Sequence, residues 1–279
     1  MTEHLLDRST YPTVVITGAS KGVGEACAIL FAQSFPDGVN IVVVARNVAG
    51  LHEIKNKLQA YPQCNVLMVT GDVSINSCCR HMIQQAVSYF GKIDVLVNNA
   101  GLHHRGDFEK REPDELASMV DVNLKAPIYL TALALPYMPS NKKSAIIMVG
   151  SLAGRAPLQG AAVYSATKSG LRAFTYALAD EFIARKIKVA VVSPGPIHTS
   201  FIMDEIDHVE DIVYSQPMST AEQVAQAILE LTQNNKTEIA MPWLSGVLTT
   251  VSYLFPKVRR GTRPMLYKIG AKNKNKYRQ

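Results

Sequence analysis

Short, continuous apolar runs rich in β-branched residues recur along this chain, and they limit its possible folds more than any other feature. A strand with one solvated face alternates apolar and polar residues, whereas a strand covered on both faces is apolar throughout. Seven such runs occur, at residues 13–17, 40–45, 65–69, 93–97, 145–149, 188–192 and 237–240. They predict a mainly parallel sheet with helices on both faces.

The segments between these runs are longer and have the apolar spacing of helices. They lie near residues 24–34, 48–60, 75–90, 114–138 and 162–184. Ser219 and Glu222 form a predicted capping box, which opens a further helix ending near Gln233. Strands that alternate with helices in this way predict a doubly wound, Rossmann-type α/β fold.

The domain organisation follows from length and from the absence of any long linker or repeat in the sequence. We assign residues 1–240 to one dinucleotide-binding and catalytic Rossmann domain, and residues 241–279 to a C-terminal extension. Within the domain, residues 197–217 mix apolar side chains with acids and are predicted to form a lid over the substrate. Apolar lid residues such as Phe201 and Ile202 favour an apolar substrate.

The C-terminal extension combines an apolar helical stripe with a strongly basic segment. The stripe consists of Trp243, Leu244, Val247, Leu248, Val251, Leu254 and Phe255. The formal net charge of the chain is +6, yet nine cations and no acid lie within residues 255–279, so the remainder is net acidic. This distribution argues against a nucleic-acid-binding domain. Two placements stay open: the extension lies on an anionic membrane surface, or it packs over the pocket or against another subunit.

Cysteine usage and hydropathy predict a soluble, cytoplasmic protein that contacts a membrane at most peripherally. The four cysteines have no metal-ligand spacing, so we expect reduced thiols and no metal site. His103, His104 and His198 also lack such spacing and are expected to be solvated. Residues 1–12 contain no apolar run, so no secretory signal is predicted. No run approaches the roughly 20 apolar residues of a membrane-spanning helix.

A glycine-rich turn with the sequence TGASKGVG joins the first strand to the first helix at residues 17–24. Glycines at these positions let the backbone turn tightly and approach a pyrophosphate, while the helix N-terminus presents free N–H groups to it. The predicted cofactor contacts in this turn are Gly18, Ser20, Lys21, Gly22, Val23 and Gly24.

The end of the second strand bears on the choice between NAD(H) and NADP(H). NAD sites usually place a carboxylate there for the adenine ribose, whereas a cation accommodates the 2′-phosphate of NADP. Here the strand is followed by Arg46, whose planar guanidinium suits phosphate, and Lys21 adds a second charge from the glycine turn. We predict that NADP(H) is preferred over NAD(H).

Polar residues also follow the third and fourth strands, where ligands bind in doubly wound sheets. The predicted cofactor contacts at these two ends are Asp72, Val73, Asn99, Ala100 and Gly101. Asp72 is placed to accept a hydrogen bond from the adenine amino group. Two interpretations of Asn98 stay open: a contact with the adenosine, or a brace between strands.

A serine after the fifth strand and a later Tyr-x-x-x-Lys sequence are candidates for catalysis. Tyr164 and Lys168 are spaced i, i+4 on a predicted helix, so their side chains share one face. A nearby ammonium favours the phenolate, so we expect a lowered pKa for Tyr164 and acid–base chemistry near neutrality. Ser151 is placed to hold a carbonyl oxygen. Each motif alone is common, and the prediction depends on their combination.

Together these motifs resemble the short-chain dehydrogenase/reductase family. They occur in the order typical of that family: TGASKGVG, NNAG, Asn123, Ser151, YSATK and Pro194-Gly195-Pro196. The resemblance extends over roughly residues 13–240. It implies that Tyr164 exchanges a proton with the substrate oxygen and that Ser151 orients the substrate.

The resemblance also implies roles for residues that the spacing alone does not explain. Lys168 would lower the pKa of Tyr164 and bind the nicotinamide ribose. Asn123 would kink its helix and hold a water in a proton relay. The nicotinamide itself would lie beside Pro194, Gly195, Ile197 and Thr199.

The implied function is an NADP(H)-dependent oxidoreductase that interconverts a carbonyl and an alcohol, acting on an apolar ketone, aldehyde or lipid-like ketone. The alternative is a non-enzymatic NADP(H)-binding or scaffold protein, although such a protein would typically have lost part of the Asn-Ser-Tyr-Lys set. Ketoacyl reductases of the family typically close with a Gly-Gly strand, whereas this chain continues through Trp243, which argues against a plain ketoacyl reductase. Relatives pair their long helices, so we expect a homodimer or homotetramer.

Overall fold

The chain forms one seven-stranded sheet in a computed structural model that describes residues 10–140 and 144–278. Its strands are β1 (Thr13–Thr17), β2 (Val39–Ala45), β3 (Cys64–Thr70), β4 (Val95–Asn98), β5 (Ser144–Val149), β6 (Ile187–Pro194) and β7 (Glu238–Met241). All of the pairings are parallel, in the order β3-β2-β1-β4-β5-β6-β7. The strand order reverses direction between β1 and β4, and ligands bind beside such a switch point.

Helices lie on both faces of this sheet, which confirms the predicted doubly wound, Rossmann-type fold. They are α1 (Gly22–Ser34), α2 (Val48–Leu58), α3 (Asn76–Phe90), α4 (Pro113–Val120), α5 (Ala126–Ala134), α6 (Ala162–Glu181), α7 (Ser200–Met203), α8 (Ala221–Gln233), α9 (Trp243–Leu254) and α10 (Pro256–Tyr277).

Two hydrophobic cores, one on each face, explain why the strands are apolar throughout. Val14 and Ile16 of β1 belong to the core that includes Phe31 of α1. Val15, between them, belongs to the opposite core with Met82 of α3. Because successive side chains of a strand point to opposite faces, the three central positions of β1 are all apolar and fill both cores.

The segment predicted as one helix over residues 114–138 is instead divided. Between α4 and α5 lies a π-helical turn, Asp121–Lys125. Proline has no N–H to donate to the carbonyl four residues earlier, so Pro127 cannot make the usual helical bond to Asn123. Pro127 therefore accounts for a helix that departs from its regular hydrogen-bond pattern at this place.

The predicted capping box is shifted by one residue. Thr220, not Ser219, is the N-cap of α8, and its side chain accepts a hydrogen bond from the main-chain N–H of Gln223. The Gln223 side chain in turn accepts from the N–H of Thr220 at 2.9 Å. Ser219 pairs with Ile197 in an isolated parallel bridge, so it belongs to the connection before the helix.

The C-terminal extension is helical, and its basic segment forms α10. This helix packs against residues Asp211–Ser215 of the predicted lid. Lys274 is buried there and donates to the main-chain oxygen of Val209 at 2.7 Å and to Asp211 at 3.1 Å. Gly270 lies so close to the lid that an added Cβ would be 1.8 Å from the oxygen of Asp211. The extension therefore holds the lid segment against the domain.

Three sequence-based expectations concern membranes, metals and thiols. Within residues 10–140 and 144–278, no helix is long and apolar enough to cross a bilayer. The same ranges contain no cluster of His, Cys, Asp and Glu that could hold a metal ion. The four cysteines are free. Residues 1–9, and with them most of the segment in which no secretory signal is predicted, lie outside the described residues.

Candidate active site

A cavity of about 860 Å³ lies at the carboxyl ends of the strands, beside the switch point between β1 and β4. The glycine turn, the ends of β2 to β6, the lid and the C-terminal extension all contribute to its lining. The cavity thus brings together most of the residues that the motifs single out. Of the predicted site residues, Gly24 and Asn123 do not line it.

The glycine turn forms the wall of the cavity at the N-terminus of α1. Gly18 and Gly22 have φ angles of 65° and 59°, in the left-handed region that favours glycine. A Cβ on Gly24 would lie 2.2 Å from the oxygen of Gly18, so only glycine lets the helix start this close to the turn. Lys21 is the N-cap and makes no side-chain capping bond. The first N–H groups of α1 are therefore available to an anionic ligand.

Asn99 braces the glycine turn from the end of β4. Its Nδ2 donates to the main-chain oxygens of Thr17 and Gly18 at 2.9 and 3.1 Å. The N–H groups of Asn99 and Ala100 both donate to the Thr17 hydroxyl at 3.0 Å. Asn98 is buried within β4 and donates to Met148 of the neighbouring strand, so of its two open interpretations the brace between strands is the one observed.

Arg46 and Asp72 lie together at the end of the cavity formed by β2 and β3. Their side chains approach to 3.6 Å, with Arg46 about 72% exposed. Burial alone would raise the pKa of Asp72, but hydrogen bonds from the N–H and hydroxyl of Ser74, with the charge of Arg46, hold that pKa below its usual value. Asn47 and Glu53, which were not predicted as site residues, also line this end.

Ser151 and Tyr164 meet near the middle of the cavity. Ser151 caps a short 3-10 turn after β5 and accepts a hydrogen bond from the N–H of Ala153 at 3.1 Å. The Ser151 hydroxyl lies near enough to that of Tyr164 to act on its pKa. Burial raises the pKa of Tyr164, although the Ser151 hydroxyl and the charge of Arg105 act in the opposite direction.

Lys168 lies one helical turn after Tyr164, as predicted, and is buried. Its Nζ donates to the main-chain oxygen of Val149 at 2.8 Å and lies 5.8 Å from the centre of the Tyr164 ring. Burial lowers the pKa of Lys168 to about 8. We expected a lowered pKa for Tyr164, and this was wrong. The pKa is raised, because desolvation of the phenolate outweighs the favourable interactions.

Asn123 lies in the π-helical turn behind the cavity. Its side chain accepts from the N–H of Leu102 and donates to the oxygen of the same residue, both at 2.7 Å. It also donates to Thr167 of α6 at 3.3 Å. Asn123 thus ties the loop after β4 to the helix that carries Tyr164 and Lys168.

The residues predicted to lie by the nicotinamide form the opposite wall. Pro194, Gly195, Ile197 and Thr199 all line the cavity. Gly195 is fixed by a hydrogen bond from its N–H to the oxygen of Met241 at 2.7 Å. Thr199 lies across from the glycine turn, with its methyl group 3.4 Å from the position of a Cβ on Gly22.

His103 and Arg105 line the cavity and were missed by the sequence analysis. His103 was expected to be solvated, and this was wrong: it is 8% exposed and stacks on the Tyr164 ring with centroids 4.0 Å apart. His198 is exposed, as expected, whereas His104 is half-buried, 3.7 Å from Glu115. The residues around His103 in the sequence do not indicate this burial, because the ring that covers it belongs to the distant Tyr164.

Comparison with known proteins agrees with this arrangement. The family model described as short chain dehydrogenase matches residues 12–210, which include the glycine turn, Ser151, Tyr164 and Lys168. The chain belongs to the short-chain dehydrogenase family. This membership confirms the resemblance and makes the protein an oxidoreductase by family.

The chain is similar to several known proteins, among them two relatives and one solved structure. An NADP-dependent 3-hydroxy acid dehydrogenase of Schizosaccharomyces pombe is 34% identical, covering 82% of this chain and 90% of the other. Ketoacyl reductase HetN of Nostoc sp. is 32% identical, covering 82% and 78%. The crystal structure of 3-ketoacyl-(acyl-carrier-protein) reductase from Brucella melitensis complexed with NADH aligns with a TM-score of 0.72 and 26% identity, covering 82% and 96%.

Proposed function

We propose that this short-chain dehydrogenase interconverts a carbonyl and an alcohol with NADP(H), using Tyr164 as the general acid and base. The observation that supports this most directly is that Ser151 and Tyr164 line the same cavity as the glycine turn, with the Ser151 hydroxyl near enough to that of Tyr164 to act on its pKa. A carbonyl oxygen placed between these hydroxyls would accept a hydrogen bond from each of them.

The residues of the cavity fit a dinucleotide cofactor. The uncapped N-terminus of α1 and the close approach allowed by Gly18 and Gly22 suit the pyrophosphate. Lys168 would bind the nicotinamide ribose, and Thr199 would reach the carboxamide. When bound, the nicotinamide supplies or accepts the hydride, and the protein supplies position and electrostatics.

Proton transfer is assigned to the hydroxyl of Tyr164. In the reducing direction it donates a proton to the substrate oxygen, and in the oxidising direction it accepts one. Ser151 holds that oxygen, and the Lys168 ammonium stabilises the phenolate left on Tyr164. Asn123 keeps the π-helical turn in place and is proposed to hold a water that returns the proton from solvent.

The preference for NADP(H) is proposed from the charges at the adenosine end. Arg46 is exposed beside the cavity, where its guanidinium would pair with a 2′-phosphate, and Lys21 lies on the glycine turn. Asp72 and Glu53 line the same end, but Asp72 already accepts two bonds from Ser74. Among the relatives, the yeast enzyme is described as NADP-dependent and the Brucella structure holds NADH, so cofactor choice varies within the family.

An apolar substrate is proposed from the other half of the cavity. Apolar side chains there come from the 3-10 turn, the lid and both helices of the extension: Leu152, Leu158, Ile202, Val213, Leu248 and Leu266. A ketone, aldehyde or lipid-like ketone would bury its chain against them.

We also propose a homodimer or homotetramer of a cytoplasmic protein. The helices expected to pair carry exposed apolar side chains, among them Ile128 of α5 and Tyr176 of α6. Light scattering at several concentrations tests this, and a monomer mass throughout would exclude it.

The experiment for the proposed function is a turnover assay in which NADPH consumption is followed with a panel of ketones, aldehydes and keto esters. NADPH-dependent reduction of at least one panel member supports the proposal. Tight NADPH binding with no turnover across the panel would favour a cofactor-binding protein without this activity.

A further inference from the structure

His103 lies against the proposed acid–base residue in an arrangement that the reaction as described above does not use. Its ring stacks on that of Tyr164, with centroids 4.0 Å apart and planes within 12° of parallel. Since His103 is only 8% exposed, it is part of the cavity wall and not of the solvated surface.

Arg105 determines which ring nitrogen of His103 carries the proton. Its Nη1 lies 2.8 Å from Nδ1 of His103, and a guanidinium can only donate. Nδ1 therefore accepts, and a neutral ring must carry its hydrogen on Nε2. Burial, with the positive charges of Arg105, Lys168 and Arg111 nearby, lowers the pKa of His103 to about 3, so the ring is neutral at physiological pH.

The Nε2–H group of His103 is buried and has no hydrogen-bond partner within the described part of the chain. An unpaired buried donor costs free energy, so native proteins nearly always give such a group a partner. His103 lines the cavity, but Nε2 itself has almost no exposed surface, so a bound molecule would provide a partner after a small shift of the wall that His103 forms.

The reacting carbonyl oxygen is not the expected partner. It has two lone-pair directions, and in the proposed function Ser151 and Tyr164 donate to both. The Nε2–H of His103 then remains for a second acceptor on the same molecule.

We infer that His103 binds a second oxygen of the substrate, next to the carbonyl that Tyr164 protonates. The preferred substrate is therefore a dicarbonyl compound, such as a keto acid or a keto ester, and not a ketone with a single oxygen. This inference rests on the proposed function and names its substrate class, with His103 as a specificity-determining residue.

Arg105 also connects His103 to the lid. Its Nε lies 2.9 Å from Glu205, and its Nη2 donates to the main-chain oxygen of Phe201 at 2.9 Å. Arg105 is 9% exposed, so the lid residues and His103 hold it from both sides. The position of the Nε2–H donor thus depends on the lid lying over the cavity.

The test compares a 2-keto ester and a 3-keto ester with a ketone of the same chain length, in wild type and in His103→Phe. Phenylalanine keeps a ring against Tyr164 but has no N–H. We expect kcat/KM for the preferred keto ester to fall roughly 10- to 100-fold more than kcat/KM for the ketone. Equal losses for ketone and keto ester would overturn the inference.

A second variant separates the lost donor from a disturbed Arg105. His103→Gln keeps an amide donor and an acceptor for Arg105, so it should recover part of the keto ester preference. If wild type itself reduces the ketone as well as both keto esters, the inference fails without any variant. If wild type reduces none of them while binding NADPH, the proposed function fails first, and the inference with it.

A different observation supports a second inference, on the outer face of the extension. Apolar side chains between about 40% and 73% exposed follow one another along α9 and into α10: Trp243, Leu244, Val247, Val251, Leu254, Phe255 and Val258. The inner face of α9, with Ser245 and Thr249, lines the cavity. An exposed apolar surface of this extent is a mark of an interaction site.

Charge indicates what covers this apolar face. Exposed cations lie on α10 beside it, among them Lys257, Arg260 and Lys268, and residues 243–278 contain no acid. A two-fold contact between copies would bring the same cations together. We propose that the apolar face lies on an anionic lipid bilayer, with the cations at the headgroups.

Co-sedimentation with vesicles tests this surface. We expect binding to vesicles of phosphatidylcholine mixed with phosphatidylserine, weaker binding at higher salt, and little binding to phosphatidylcholine alone. Trp243→Ser combined with Val247→Ser should abolish binding, whereas Ile183→Ser, which changes an exposed apolar residue on another surface, should not. The proposal is overturned by the absence of anionic-vesicle binding, or by a loss of oligomer mass in the double variant that marks the face as a contact between copies.

Discussion

Lys168 donates a hydrogen bond from Nζ to the main-chain oxygen of Val149 at 2.8 Å, at the point where β5 ends and the cavity begins. This bond fixes a buried ammonium on the same helical face as Tyr164, 5.8 Å from its ring centre. The carboxyl end of a strand thereby positions the charge on which the proposed proton transfer depends.

The first prediction concerns pH. Because burial lowers the pKa of Lys168 to about 8, the ammonium is lost as pH rises through that value, while the raised pKa of Tyr164 keeps the phenol protonated. We expect kcat/KM for carbonyl reduction to fall above this pH. In Lys168→Arg the guanidinium stays charged, so the fall should move to higher pH. An unchanged profile in this variant would assign the fall to another group.

The second prediction concerns cofactor choice. Arg46→Ala should weaken NADPH binding roughly 10- to 100-fold, because a charge-assisted bond to the 2′-phosphate is lost. NADH has no such phosphate, so its affinity should not fall. Lys55→Ala removes an exposed cation from α2 and serves as the control. Calorimetric titration measures the affinities of wild type and both variants for the two cofactors, and equal effects of Arg46→Ala on both cofactors would contradict the proposed preference.

The third prediction concerns the junction of the sheet and the extension. Arg155, Arg172, Tyr176 and Ser193 all contact Glu238 of β7, and its side chain is only 5% exposed. Burial alone would raise the pKa of Glu238, but the bonds from the two arginines and the serine outweigh it and lower the pKa to about 2. Replacing Glu238 leaves the charges of two partly buried arginines without their partner.

Glu238→Gln should therefore lower the free energy of unfolding by about 3 kcal/mol near neutral pH. A depressed carboxyl pKa stabilises the fold above its unfolded value of about 4.5, and this contribution is lost as pH falls from there toward about 2. The difference between wild type and variant in urea unfolding should shrink over this window. Glu230→Gln on α8 is the control, and a pH-independent difference would show that the charge of Glu238 does not cause the effect.

The fourth prediction concerns the contact between α10 and the lid. In Gly270→Ala, a Cβ 1.8 Å from the oxygen of Asp211 must push the helix away. We expect a loss of about 1–3 kcal/mol in unfolding free energy, with a raised KM for the carbonyl substrate and unchanged NADPH affinity. Gly261→Ala on the same helix meets nothing within 4 Å and should be neutral or stabilising. Equal behaviour of the two variants would show that α10 does not hold the lid.

The fold was predictable because its signals are local. Strands buried on both faces have apolar runs, as the central residues of β1 do, and the glycine turn needs glycine where its φ angles are positive. The π-helical turn was missed although Pro127 signals it, because helical periodicity continues through the break.

The candidate site was predictable only where residue type and spacing define it. Tyr164 and Lys168 share a face in any helix, whereas the direction of their pKa shifts depends on burial by distant segments. His103 gives no local signal, since its position against Tyr164 is a contact between residues 61 positions apart in the sequence. The packing of α10 on the lid depends on Gly270 and Lys274, in a segment whose composition indicated only charge.

The central claim, that Tyr164 transfers the proton in an NADP(H)-dependent reduction, is tested most directly by Tyr164→Phe assayed with the preferred carbonyl substrate. Phenylalanine keeps the ring and removes only the hydroxyl. We expect a loss of kcat of roughly 100- to 10,000-fold with NADPH affinity unchanged, while Tyr137→Phe at an exposed position has no effect. A Tyr164→Phe variant that binds NADPH and reduces the substrate at the wild-type rate would contradict it.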